Sequence, residues 1–492
     1  MANPTLDRTA PLWQAVLMLL GLLLAAPAGA ATWYVRPDGG SAAECTGKAD
    51  AAYPGEGRGR DCAWRHPFEA LPPGAEPRMQ GGDILLIGRG SYEIGRGAPG
   101  SEALPGCSGD WPWDCHVGTV PGGSPGQPTR ILGAGWDQGC ASAPELWGSQ
   151  RAATVLDLAG SHDVEIACLE LTDHSSCIEF HPGAAACQRD RPPYGAWAAI
   201  GIQAADSARV RLADLFIHGL AHDGIRAGRL RDWSLQRVRL VGNGWSGWNG
   251  DLGDGKGSSS SGQLRFQQVE IAWNGCSESW PGGEHPACWG QEQGGYGDGL
   301  GLAASSGEWL FEDVKAHHNA QDGLDLLHAE ADADIVFRHV EAYANAGNQL
   351  KAAGNVTVED SRLDGDCALL AAKGLRPGDA CRAAGNSLIL AVAPFSRSRI
   401  HHNRISGTGD CLIDLECAGE GCRRAAVEIT GNELSGSRRK DVEAAKSPCA
   451  MWVGEELRGA AIEFSGNRLQ GLRPPACPEG ARGCAPAGQG PP

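Results

Sequence analysis

From residue 210 onwards the chain repeats a short alternating phrase: "VRLADLFIHGL", "WSLQRVRLVGNG", "LRFQQVEIAWNG", "WLFEDVKAHHNA", "IVFRHVEAYANA", "VTVEDSRLDGD", "SRIHHNRISGTG", "VEITGNELSGS" and "IEFSGNRLQG". Apolar residues fall at every second position, which is the side-chain period of a strand, and Asn or Gly then breaks the pattern. Equivalent positions lie 23 residues apart from Ile217 to Leu240, 26 from Ala316 to Ala342 and 21 from Ala342 to Leu363. Several short strands in a repeat of this length predict an all-β, right-handed parallel β-helix, a solenoid in which each coil stacks on the last. A leucine-rich repeat lacks support, because no helix-period segment accompanies the strands. An open sandwich leaves the near-constant period unexplained. Asn243, Asn274, Asn319 and Asn345 each fall three residues after the reference position, so they are expected to form a ladder at one turn, with a structural role.

The solenoid is expected over residues 31–473, with insertions at about 100–149 and 244–297 that are rich in Gly, Trp and Cys, and a Pro/Gly-rich tail at 474–492. "TWYVRPDGGS", "HPFEALPPG" and "GGDILLIGRGSYEI" resemble the opening of exported right-handed β-helix proteins. Residues 1–30 read as a signal peptide: Arg8, an apolar run from Val16 to Ala26, then Ala28-Gly29-Ala30. That run is too short for a membrane span. A secreted or periplasmic protein with no span in the mature chain is expected, acting as a monomer. The 18 cysteines fit such a compartment as disulfides. Local pairs such as Cys107/Cys115, Cys177/Cys187, Cys276/Cys288, Cys367/Cys381, Cys411/Cys417 and Cys477/Cys484 are candidates, although spacing does not fix connectivity. No pair of C-x2-C knuckles has zinc spacing. A net charge of −17 argues against nucleic acid as a partner, and means that an anionic polymer needs a cation or a local basic patch to bind.

Four phrases align without gaps: Asp223-Gly-Ile-Arg226, Asp298-Gly-Leu-Gly301, Asp322-Gly-Leu-Asp325 and Asn348-Gln-Leu-Lys351. Alternation sends Ile225, Leu300, Leu324 and Leu350 inward, and Arg226, Gly301, Asp325 and Lys351 outward. On successive coils, about 4.8 Å apart, Asp298 then lies beside Asp322, and Asp325 beside Lys351. Stacked carboxylates repel unless one is protonated or a cation joins them. Oxygen ligands favour calcium over a transition metal. The plain alternative is that Asp-Gly is turn punctuation and Asp325–Lys351 a surface ion pair worth little.

The same residues resemble the site of the family-nine pectate lyases, calcium-dependent enzymes on a right-handed parallel β-helix. The resemblance covers roughly residues 295–354. It implies that Asp298, Asp322 and Asp325 hold Ca2+, that Lys351 is the base, and that the substrate is an acidic, uronic-acid-containing polysaccharide cleaved by β-elimination. Gln321 stands where that family has the first Asp of an adjacent pair; its amide oxygen can still ligate, with one negative charge fewer. Arg226 is a candidate for gripping a sugar carboxylate, or else a solvated residue of the coil face. Trp245, Trp248, Trp273, Trp280 and Trp289 are candidates for stacking on sugars, or for packing loops onto the coils. Two rivals remain: a glycoside hydrolase using the same carboxylates without calcium, for which the polygalacturonase-like motifs are absent, and a non-catalytic carbohydrate-binding or surface β-helix.

Overall fold

A computed structural model describes residues 29–109, 112–175, 197–276, 278, 297–366, 387–408, 411–437, 448–477, 481–482 and 485–486. The expected signal peptide (residues 1–28 of it), Trp280, Trp289, and the pairs Cys177/Cys187 and Cys367/Cys381 lie outside these residues, as do Cys288 and Cys484.

Among the described residues there is no α-helix, only short 3-10 turns. One bent sheet holds 23 strands and a second holds ten. Pairing within both is parallel, and strands away from the ends pair with their counterparts one coil earlier and one coil later. The chain is a right-handed parallel β-helix, as its period predicts.

Alternation builds the core as columns. Phe266, Phe311, Phe337, Val358, Ile400, Ile429 and Phe464 stack in register. The rings of Phe266, Phe311 and Phe337 follow one another at 4.8 and 5.1 Å. In the ten-stranded sheet, Ile225, Trp248, Leu300, Leu324, Leu350, Leu388 and Ile413 form another column, all fully buried.

Each corner of the coil has its own repeated device. Arg237, Gln268, Asp313, His339 and Asp360 turn the first corner with φ between 49° and 55°. At the second, Trp273, His318 and Ala344 are also left-handed, and each precedes an asparagine, whereas His402, with φ 59°, stands at the first corner beside Asp360. A left-handed non-glycine residue costs of order 1 kcal/mol. The asparagines offset that cost, because they pair as expected: Asn243 to Asn274 at 2.9 Å, Asn274 to Asn319 at 3.0 Å, Asn319 to Asn345 at 2.8 Å. Asn345 donates in turn to Gln349 at 2.8 Å. A second run joins Asn403, Asn432 and Asn467.

Coil strands run through both stretches expected as insertions. Thr129–Gly133 and Glu145–Gly148 pair with the strand His162–Asp173, and Trp248–Asn249 and Ser261–Gln267 join the two sheets. Their coils are masked in the sequence by the Gly-, Trp- and Cys-rich loops between them.

Disulfides join Cys45 to Cys62, Cys107 to Cys115, Cys140 to Cys168, Cys411 to Cys449, and Cys417 to Cys422. Cys107/Cys115 is as expected. Cys411/Cys417 is not: the two are ends of one extended strand, and Cys411 faces Cys449 on the next coil. No described helix is long and apolar enough to cross a membrane.

Candidate active site

The site lies on the ten-stranded sheet, where Leu300–Gly301, Leu324–Leu326 and Leu350–Ala353 are neighbours. Gly301 pairs with Asp325, and Asp325 with Lys351. The expected register therefore holds over these three coils. Before them the column stays in register but gains a coil. Trp248–Asn249 stands between Ile225–Arg226 and Leu300–Gly301, so Arg226 neighbours Asn249 rather than Gly301.

The glycine of each Asp-Gly pair answers the turn-punctuation reading. A Cβ on Gly323 would come within 2.7 Å of Asn345 Nδ2, and one on Gly299 within 2.8 Å of Asn319 Nδ2. The asparagine ladder passes directly behind these positions and leaves no room for a side chain. Glycine is thus required by the scaffold, which leaves the adjoining aspartates to be explained separately.

Asp298, Asp322, Asp325 and Lys351 converge. Lys351 Nζ lies 2.8 Å from Asp322 Oδ2 and 3.0 Å from Asp325 Oδ2. The remaining oxygens are aimed by backbone. Asp298 Oδ1 accepts the Asp322 N–H at 3.0 Å, Asp322 Oδ1 accepts the Asn348 N–H, and Asp325 Oδ1 accepts the Leu327 N–H at 2.9 Å. Burial, then the charges of Asp322 and Asp325, pushes the Asp298 carboxyl well above the usual range. Burial also raises Asp325, against the pull of Lys351. For Lys351, burial disfavours the ammonium, but Asp322 and Asp325 outweigh it and hold the group above its ordinary value. As arranged, Lys351 is a cation clamped by two carboxylates.

These residues wall an open cleft of about 760 Å³, lined also by Gln321, Asn348, His328, Asn249 and Asp251. Arg226 does not line it. Its guanidinium is engaged with the fully buried Asp223, at 2.7 and 2.9 Å. Trp248 has no exposed surface and belongs to the core; Trp245 stacks on His222, and Trp273 on His318. Packing, rather than sugar stacking, accounts for all three.

Asn348 is the residue that sequence reasoning passed over. It donates Nδ2 to Asp322 Oδ1 at 3.0 Å, while its buried Oδ1 has no hydrogen-bond partner. The signal was present, since Asn348 takes the aspartate position in the alignment of phrases. That orphaned oxygen, with Asp298, Asp322, Asp325 and Gln321, makes a donor set of hard oxygens, which suits calcium in kind. Among the described residues no three His, Cys, Asp or Glu side chains are gathered as a metal ion requires, and the Lys351 ammonium occupies the place between Asp322 and Asp325.

No protein-family model matches the chain, and no curated protein matches it. Solved structures do resemble it. Pectate lyase Pel9A is 15% identical, over 85% of this chain and 80% of that one, with a TM-score of 0.42. The A-module of the Azotobacter vinelandii mannuronan C-5 epimerase AlgE4 is 12% identical, over 82% and 91%, at 0.37. PfbA, a surface adhesin of Streptococcus pneumoniae, is 10% identical, over 80% and 86%, at 0.39. At TM-scores below 0.5 these likenesses carry no weight for this chain, whose parallel β-helix rests on its own strand register.

Proposed function

We propose that the protein is an exported polysaccharide lyase that cleaves a uronic-acid-containing polysaccharide by β-elimination, with Lys351 as the base. The observation that carries this reading is the position of Lys351 Nζ, held between Asp322 and Asp325 on the wall of an open cleft. The order of Asp298, then Asp322 and Asp325, then Lys351 on three adjoining coils supports it. The reaction takes the proton from the carbon beside the sugar carboxylate. Its electron pair forms a carbon–carbon double bond, and the glycosidic C–O bond breaks without water.

Lys351 must be neutral to accept that proton, and its two carboxylate partners oppose this. Their charge has to be engaged elsewhere first. Asp298, Asp322, Asp325, Gln321 and Asn348 are the residues that would hold calcium, which supplies Lewis-acid stabilisation of the substrate carboxylate when bound. Asp322 and Asp325 orient the lysine, and the backbone N–H groups fix both carboxylates in turn. Arg226, tied to Asp223, is left with a structural part in this reading.

A second reading rests on Asp298. A carboxyl held towards its protonated form is what the general acid of a glycoside hydrolase requires, with Asp322 or Asp325 as its partner. One assay separates the two. Purified protein is incubated with polygalacturonate, alginate and glycosaminoglycan, with calcium and with chelator. Ultraviolet-absorbing unsaturated ends support elimination, saturated reducing ends support hydrolysis, and an intact polymer supports a carbohydrate-binding role.

A further inference from the structure

Asp83 is a buried carboxylate at the start of the solenoid, only 7% exposed. Three N–H groups donate to it. Trp33 Nε1 and the Gln80 N–H each lie 2.8 Å from Oδ2, and the Ala31 N–H lies 2.9 Å from Oδ1. All three donors are neutral. Among the described residues no arginine, lysine or histidine forms a salt bridge with Asp83; the Lys48 ammonium feels its charge but sits over the Trp33 ring. A carboxylate in so sheltered a place ordinarily has a cation against it.

Ala31 is also where the fold begins. Its carbonyl accepts the Ile84 N–H at 2.8 Å. The strand that follows, Thr32–Gly40, pairs with Ile84–Ile87. Gly29 and Ala30, before it, are exposed. The small-residue site read in the sequence, Ala28-Gly29-Ala30, ends at the same bond. Two independent observations, a cleavage pattern and the first tethered residue, therefore meet at the Ala30–Ala31 junction.

We infer that removal of residues 1–30 turns the Ala31 nitrogen into an ammonium that pairs with Asp83 and pins the first strand of the solenoid. The step is hydrolysis by a leader-removing peptidase of the export route. Water adds across the Ala30–Ala31 amide, the C–N bond breaks, Ala30 departs with the new carboxylate, and Ala31 keeps the amine. A free α-amino group has a pKa of about 7.7–8.0, so it takes up a proton at neutral pH. A neutral hydrogen bond thereby becomes a charge-assisted one, about twice as strong. In the precursor the same nitrogen is an uncharged amide, so the tie closes only after the leader has gone. Thr32–Gly40 needs such a tie more than the inner strands do, because it has a strand partner on one side only. The inference rests on the export part of the reading above and not on its chemistry.

The test begins with the full-length chain exported from a bacterial host, whose product is read by intact mass and N-terminal sequencing. Ala31 is expected as the first residue; a chain that keeps residues 1–30, or starts elsewhere, overturns the proposal. The product is then compared with one from a precursor carrying Gly-Ser between Ala30 and Ala31, its start confirmed by mass. The extension leaves Ala31 an N–H for Asp83 but moves the charge away. Hydrogen exchange across Thr32–Gly40 is expected to be about tenfold faster in the extended chain, with no change at Leu324–Leu326. Equal exchange in the two chains overturns the proposal. In an Asp83→Asn background the two termini are expected to exchange alike; an extension that costs as much there overturns Asp83 as the partner. Should Asp83→Asn fail to fold, the comparison of the two termini on the unsubstituted chain still decides. None of these readouts needs turnover, so a chain that proves inactive as a lyase answers the question equally well.

Discussion

Asp298 Oδ1 accepts the backbone N–H of Asp322 from the next coil at 3.0 Å. The bond makes Asp298 both a brace between coils and a member of the acidic cluster. Asparagine at 298 keeps an oxygen for that N–H and removes the charge that Asp322 and Asp325 repel. Asp298→Asn is therefore expected to fold with an unchanged or higher unfolding midpoint, while lyase activity falls about 10²-fold, the scale for losing one preorganised electrostatic group. Initial rates of unsaturated-product formation and a thermal melt check both halves.

Lys351→Ala removes the base and strands two carboxylates. Activity is expected to fall by about 10²-fold or more. Stability is expected to drop by about 3 kcal/mol, since the cost comes from the partners left unpaired in a largely buried place. A neutral-pH denaturant melt gives the second figure. Recovery of much of that loss in Lys351→Ala/Asp325→Asn would show that the unpaired charge is its source.

The asparagine ladder is the other buried polar system. Asn319 donates to Ile271 O at 3.1 Å and to Asn345, and accepts from the backbone and side chain of Asn274. Asn319→Ala leaves several buried groups unsatisfied, at about 1–3 kcal/mol each. A loss of about 4 kcal/mol in unfolding free energy is expected, with local exposure near the cleft read by hydrogen exchange.

His218 sets a pH dependence remote from the cleft. Burial disfavours its imidazolium, but Glu170 at 3.0 Å and Glu278 at 3.1 Å outweigh burial and raise its pKa from 6.5 to about 9. A raised folded-state value means that the protonated form stabilises the fold. The contribution is complete below about pH 6.5 and fades as pH climbs towards 9, a change of up to about 3 kcal/mol. The unfolding midpoint is expected to decline over that window, and His218→Gln to flatten the decline.

The columns were readable because alternation and coil length act locally: the inward leucines, the Asn ladder and the pairing of Asp325 with Lys351 all follow from period-two counting. What escaped was a coil with no Asp-Gly to mark it. Ser246-Gly-Trp248-Asn249 stacks as its neighbours do, but a tryptophan in the core column and loops on either side hid the match, so the coil between Arg226 and Gly301 went unseen. Cys411 was misjudged for a related reason. Along one strand, Cys417 is near in sequence and distant in space, whereas Cys449, 38 residues away, is the next coil's counterpart. Asn348 was visible only as a place in a register, and its role depends on which oxygen is left without a donor.

A centre spread over three adjoining rungs is exposed to a change that a folded core would hardly notice. Duplicating one whole coil between Gly301 and Leu324 keeps every column continuous and every corner intact, yet it moves Asp298 about 4.8 Å further from Asp322 and Lys351. Chains of this architecture can thus lengthen by complete turns, and gain or lose a reactive cluster, while the barrel that carries it stays the same.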